Sequence, residues 1–363
     1  MHLRHRKHLK EVPEAFLLPR QVVVNLTSRI FFFAIPISHH GWCNIFSCCS
    51  TIIMAVFCTA AIILNATVIL VTIRHRQLRQ PINYSLVNLA VADLGVTVTG
   101  GSLTVLTNAM GYFSLGRIGC VIEGFSVAFF GIAGLCTVAV IAVDRFMVVC
   151  KPLGTVIFRT RHATVGVVFS WVWSFIWNTP PLFGWGSYQL EGVKTSCAPD
   201  WYSRNPANVS FIISYFTLCF AVPFTIIVFS YSRLLWTLKK VSSLGVAKGG
   251  TTAKAEVQVT RMVIIMVLAF LICWLPYAAF AMTVIFNPEI EINPIIATVP
   301  MYLTKSSTVY NPLIYIFMNR QFRDCAVPFL LCGRNPWAEE LEEPEGDTTL
   351  STVSKSNNKV APT

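Results

Sequence analysis

The chain is 363 residues long, 54% of them hydrophobic and only 12% charged, with a formal net charge of +11. So apolar a composition excludes a soluble domain of this length. The positive charge is read as the positive-inside bias of a spanning protein, which leaves no reason to expect a nucleic-acid partner.

Residues 1–49 form a basic, aromatic leading segment (Arg4, Arg6, Lys7, Phe31 to Phe33) without a clear signal peptide. It is expected on the outer face, with part of it a gene-model or splice product. Asn25-Leu26-Thr27 in this segment and Asn208-Val209-Ser210 further on are glycosylation sequons. Stretches near 20 residues with few charges then follow at 50–73, 84–108, 118–149, 162–183, 209–236, 258–285 and 295–318. The fold class expected is an all-α membrane protein, a seven-transmembrane helix bundle over 50–318. Arg74, Arg76, Arg79, Lys151, Arg159, Arg161, Lys239 and Lys240 cluster in alternate short loops, which places those loops in the cytoplasm and the amino terminus outside.

Polar residues inside apolar spans need partners, and they mark candidate working parts. In chain order these are Asn65 in the first span, Asp93 in the second, and Asp144 with Arg145 at the inner end of the third. Cys120 at the outer start of the third span and Cys197 in the loop Trp185–Tyr202 lie where a disulfide persists, and a bond joining them would turn that loop into a lid. Cys273-Trp274-Leu275-Pro276 and Asn311-Pro312-Leu313-Ile314-Tyr315 place prolines inside spans, where lost backbone hydrogen bonds create kinks. Lys305 is the only formally charged side chain between Ile295 and Met318. It lies too deep to snorkel, and an unpartnered ammonium there costs roughly 3 kcal/mol or more. Lysine in an apolar pocket is also the residue that forms Schiff bases with carbonyl compounds.

After the seventh span, 319–332 reads as an amphipathic interfacial helix ending at Cys332, a palmitoylation candidate. Residues 333–363 are acidic and then rich in Ser and Thr, a solvated, disordered and phosphorylatable tail. The His residues form no metal set, and no metal is expected.

Asn65, Leu89-Ala90-Val91-Ala92-Asp93, Cys120, Asp144-Arg145-Phe146, Cys273-Trp274-Leu275-Pro276 and Asn311-Pro312-Leu313-Ile314-Tyr315, in this order, resemble the rhodopsin-like G protein-coupled receptors over residues 50–335. Lys305, six residues before Asn311, makes the chain look like an opsin. Glu191 to Tyr202 and Phe329 to Trp337 are most similar to the parapinopsin group of vertebrate pineal pigments. The resemblance implies a receptor, not an enzyme, with retinal as a Schiff base on Lys305, 11-cis in darkness and all-trans after light. It implies Trp274 and Tyr277 in the retinal pocket, a Cys120–Cys197 disulfide, and Glu123 or Glu191 as counterion. Ultraviolet sensitivity and a photoreversible active state follow from the same likeness.

Asp93, Asp144, Arg145, Glu256, Asn311, Pro312 and Tyr315 are expected to form the switch, with Arg145 latched to Asp144 and Glu256. Asn319, Arg320, Gln321, Phe322 and Arg323 are expected to meet a heterotrimeric G protein of the transducin or inhibitory class. The tail is expected to serve a receptor kinase and arrestin. Val360 to Thr363 resembles a ciliary signal and suits a photoreceptor outer segment within the plasma membrane system. The rival reading is a retinal photoisomerase of the same fold with little G protein signalling, which would not need the coupling segment after the seventh span.

Overall fold

The computed structural model describes residues 39–150, 160–243, 251–287 and 290–334. The chain divides into two units, Met1–Phe46 and Ser47–Thr363, and of the first only the start of a helix is described. Among the described residues seven helices and one short terminal helix follow in order: α1 (His39–Arg74); α2 (Pro81–Val96, a π segment Thr97–Gly101, then Ser102–Met110); α3 (Gly116–Cys150); α4 (Thr160–Asn178); α5 (Pro206–Tyr215, a π segment Phe216–Ala221, then Val222–Ser243); α6 (Thr251–Phe286); α7 (Pro294–Met318); and α8 (Arg320–Leu330). The fold class expected from the sequence is the one observed.

By length and composition five of these, α1, α2, α3, α5 and α6, are apolar enough to cross a membrane. The other two fall short for visible reasons. α4 is 19 residues long and opens with Arg161 and His162. α7 turns Lys305, Ser306, Ser307, Thr308 and Asn311 inward, all buried, so its polar residues lower its hydropathy without touching lipid. Outward faces are apolar, as at Ile272, Phe175 and Val165.

Local sequence sets the helix starts. Prolines stand at the first turn of α2, α5 and α7, where no N–H is missed. Asn205, Asn293 and Asn319 cap α5, α7 and α8, their side-chain oxygens accepting from Ala207 N, Ile295 N and Phe322 N. The fourth span ends at Asn178, not at 183, because Pro180 and Pro181 cannot continue an α-helix and begin a 3-10 turn, Pro180–Phe183.

Buried amides bind the helices together. Asn65 donates to the Thr308 carbonyl at 2.8 Å, and Asn311 to Asp93 Oδ2 at 2.9 Å. Asn88 donates to Thr137 Oγ1 at 2.8 Å and accepts from Trp171 Nε1 at 2.7 Å. One apolar core fills the end of the bundle near α8, around Leu86, Leu135, Ile141, Met266, Tyr315 and Phe322. A second lies at the opposite end around Phe211, Tyr215, Trp201 and Phe280. There a hairpin, β1 (Tyr188–Glu191) against β2 (Ser196–Pro199), forms a lid with Glu191 opposite Ser196 and Leu190 opposite Cys197. A Cys120–Cys197 disulfide fastens it to α3.

Candidate functional site

Beneath the lid lies a cavity walled by α3, α5, α6 and α7 and lined by Gly124, Val127, Ile132, Phe216, Phe220, Trp274, Tyr277, Met301 and Lys305. Trp274 stacks on Phe270, with ring centroids 5.4 Å apart, and donates to Ser307 Oγ at 3.3 Å. It approaches α3 closely because Gly131 has no side chain; a Cβ there would stand 3.0 Å from the indole edge.

Lys305 enters the cavity from α7 and is 6% exposed. Its Nζ lies 3.5 Å from Glu123 Oε1, donates to Ser196 Oγ at 2.7 Å, and donates also to Thr104 Oγ1. Glu123 has no exposed surface. It accepts from Ser196 Oγ at 2.9 Å, from Cys197 N at 3.2 Å and from Thr104 Oγ1 at 3.2 Å. Cys120 and Glu123 are one helical turn apart and share a face. The disulfide and the carboxylate therefore grip the same strand of the lid.

Glu191, across the hairpin from Ser196, is buried and accepts from Tyr277 Oη at 2.9 Å, whose oxygen accepts in turn from Trp201 Nε1 at 3.0 Å. Burial pushes the Glu191 carboxyl up to about 7, against the Tyr277 hydrogen bond and the Lys305 charge, with the Glu123 charge adding to the rise. Two buried carboxyl groups thus flank one amine. The free amine is in contact with Glu123, while Glu191 is held from α6. Apolar walls with a single nucleophilic amine and nearby carboxylates fit the retinal expected from the resemblance, an elongated apolar aldehyde.

The remaining candidates lie elsewhere. At the α8 end, Arg145 donates to Asp144 Oδ2 through Nε at 2.7 Å and Nη2 at 2.5 Å, both residues buried. Glu256 falls in α6, but its side chain lies outside the described residues. Pro312 and Tyr315 are buried in α7, and the hydroxyls of Tyr315, Tyr231 and Thr260 have no hydrogen-bond partner among the described residues. Arg320 and Gln321 are exposed and Arg323 is partly buried, whereas Phe322 has no exposed surface and anchors α8 on the bundle. Cys332 is exposed just beyond α8. Asn208 is 5% exposed and its amide donates to the Asp200 and Ser203 carbonyls, so a glycan there, replacing one amide hydrogen, would displace at least one of these hydrogen bonds. Asn25 and the tail from 335 lie outside the described residues.

Sequence reasoning missed Thr104 and Ser196, the two hydroxyls between Lys305 and Glu123. Ser196 carried a signal, since it precedes the lid cysteine; Thr104 carried none.

The sequence matches the 7 transmembrane receptor (rhodopsin family) over residues 64–315. It is 69% identical to parapinopsin from Ictalurus punctatus over 312 residues, 86% of this chain and 90% of that protein. It is 48% identical to pinopsin from Columba livia over 285 residues, 78% of this chain and 81% of that one. The fold is similar to the crystal structure of squid rhodopsin, with a TM-score of 0.69 and 28% identity, covering 81% of this chain and 93% of that one.

Proposed function

Since the chain belongs to the rhodopsin family of seven-transmembrane receptors and, within it, to the opsins, light-sensing G protein-coupled receptors that bind retinal and are not enzymes, we propose that Lys305 carries the retinal and that the pigment is ultraviolet-sensitive and bistable. The observation that carries this reading is the Lys305 amine, 6% exposed, at the wall of an apolar cavity under a fastened lid. Retinal supplies the photochemistry: held on that nitrogen as a Schiff base, 11-cis in darkness and all-trans after light, it absorbs in the ultraviolet when the nitrogen is unprotonated and in the visible when it is protonated.

The protein's part is binding, charge and packing. Glu123, Ser196 and Thr104 form one polar cluster around the nitrogen. Glu191 is the counterion of the photoproduct, since a carboxyl that burial holds to about 7 exchanges its proton near neutral pH. Trp274, tight against Gly131, meets any change in ligand shape and biases α6, which carries Pro276 in its interior. At the α8 end the Asp144–Arg145 pair, with Glu256 as further partner, holds the resting packing. The hydroxyls of Tyr231 and Tyr315, without a hydrogen-bond partner among the described residues, gain bonds in another packing.

Residues 1–49 and the lid face outward, residues 50–318 form the retinal-binding bundle, and 319–332 lie along the cytoplasmic leaflet with an acyl chain on Cys332. The exposed Arg320 and Gln321, with Arg323 beside them, meet a G protein of the transducin or inhibitory class. The tail recruits a receptor kinase and arrestin in a ciliary or outer-segment membrane.

Full-length protein incubated with 11-cis retinal should trap the ligand on Lys305 when reduced with borohydride, as read by peptide mass. Alternating ultraviolet and green light should interconvert two absorption bands, and ultraviolet light should drive nucleotide exchange on an inhibitory-class G protein. An unmodified Lys305 refutes the site; a band that never returns under green light refutes bistability.

A further inference from the structure

The turn of the lid hairpin rests on α7 two turns before Lys305. Val193 donates its backbone N–H to Thr298 Oγ1 at 3.0 Å, and Thr298, with no exposed surface, donates to the Pro294 carbonyl at 2.7 Å. Gly192 makes the approach possible. Its φ of +56° suits glycine, and a Cβ there would collide with the Thr298 hydroxyl and stand 3.3 Å from the Thr298 Cα. Thr298, Met301 and Lys305 are spaced i, i+3, i+7 and share one face of α7.

Glu191 is therefore fixed on three sides. Its strand pairs with Ser196, the two residues after it sit on Thr298, and its carboxylate accepts from Tyr277 on α6. The ionisable groups that face it are Tyr277 on α6, Lys305 on α7, Glu123 on α3 and Tyr202 beyond the lid strands.

We infer that Thr298 is a positioning residue that fixes where the Glu191 carboxylate stands relative to the Lys305 nitrogen. The inference rests on Lys305 as the retinal attachment point. The Val193 bond ties the lid turn to the helix that carries Lys305, so carboxylate and nitrogen stay in register when α6 moves against α7. Tyr277, on α6, is the partner that changes.

The test is the pH dependence of the absorption spectrum of the retinal-loaded full-length protein, before and after illumination. Thr298→Val removes the hydroxyl at nearly constant volume and loosens the turn. The Glu191 carboxylate is then less well placed to hold a proton on the Lys305 nitrogen, so in the photoproduct that nitrogen gives up its proton at lower pH. The midpoint between the visible and ultraviolet forms should fall by about one unit, a tenfold change in proton affinity. Thr298→Ser should restore the wild-type midpoint, and Thr298→Val should add nothing on a Glu191→Gln background. A wild-type midpoint in Thr298→Val, or a shift that persists without Glu191, overturns the inference. Should Thr298→Val yield no pigment, Gly192→Ala is read in the same way. Loss of pigment in both, with normal pigment from Thr298→Ser, assigns the contact to folding alone and overturns it too. No pigment from the wild-type protein sinks the Lys305 reading instead, and this inference with it.

Discussion

Replacing Arg204 with methionine should shorten the life of the dark pigment. Arg204 lies in the linker between β2 and α5, and its guanidinium reaches the far end of α6, donating to the Val284 carbonyl at 2.5 Å and the Ile285 carbonyl at 3.2 Å. Those carbonyls are among the last four of α6, which have no partner within the helix. A cation there also opposes the negative end of the helix dipole. Among the described residues α6 packs chiefly on α7 and α5 chiefly on α3, and this clamp and the Trp201–Tyr277 hydrogen bond tie the segment between β2 and α5 to α6. The side chain is exposed, which limits the worth of its bonds to about 1 kcal/mol. If the clamp opens before the pocket does, Arg204→Met should accelerate thermal decay of the dark pigment roughly fivefold. Arg204→Lys keeps the charge with one point donor and should fall between. The assay is loss of the dark absorption band at fixed temperature with and without hydroxylamine. Decay of Arg204→Met within experimental error of wild type would refute the clamp.

Other consequences can be checked separately. Cys197→Ser opens a loop spanning 77 residues, worth up to about 4.5 kcal/mol of chain entropy; a much lower pigment yield and melting temperature are expected. Glu191 binds its proton more tightly folded than unfolded, so its contribution to stability is full below about pH 4.5 and is lost as pH rises through about 7. The retinal-free protein should therefore melt higher at pH 5.5 than at pH ~8, by no more than roughly 3 kcal/mol in stability, and Glu191→Gln should flatten that slope. Asn311→Leu leaves the buried Asp93 without its amide donor and should cost about 1–3 kcal/mol, read as a lower melting temperature.

What was legible in the sequence was mostly charge where charge is expensive. Lys305, Asp93, Asp144 and Arg145 stand out in apolar runs because burying them requires partners, and each is found buried with one. Cys120 and Cys197 stood out by compartment, and the structure joins them. Hydroxyl residues gave no such signal. Thr104 bonds its own Gly100 carbonyl, as threonines in apolar helices commonly do, and only the packing of α2 against α3 and α7 reveals that it also meets Glu123 and Lys305. Thr298 is hidden for the same reason. Arg204 reads as an ordinary loop cation because its acceptors are backbone atoms some 80 residues away. Phe322 was grouped with exposed neighbours; amphipathic spacing alone does not say how deeply a short helix is seated.

The π segment in α2 has its own consequence. A π turn carries one residue more than an α turn, so everything beyond Gly101 is rotated by about 100° relative to an uninterrupted helix. Thr104 and Thr107, which reach Lys305 and the Thr195 carbonyl, owe their inward aim to that extra residue. Removing one amino acid between Thr97 and Gly101 would leave the composition of the span almost untouched and yet swing both hydroxyls toward the lipid. A frame shift of one residue, with no change in any side chain named as functional, is enough to rewire this pocket.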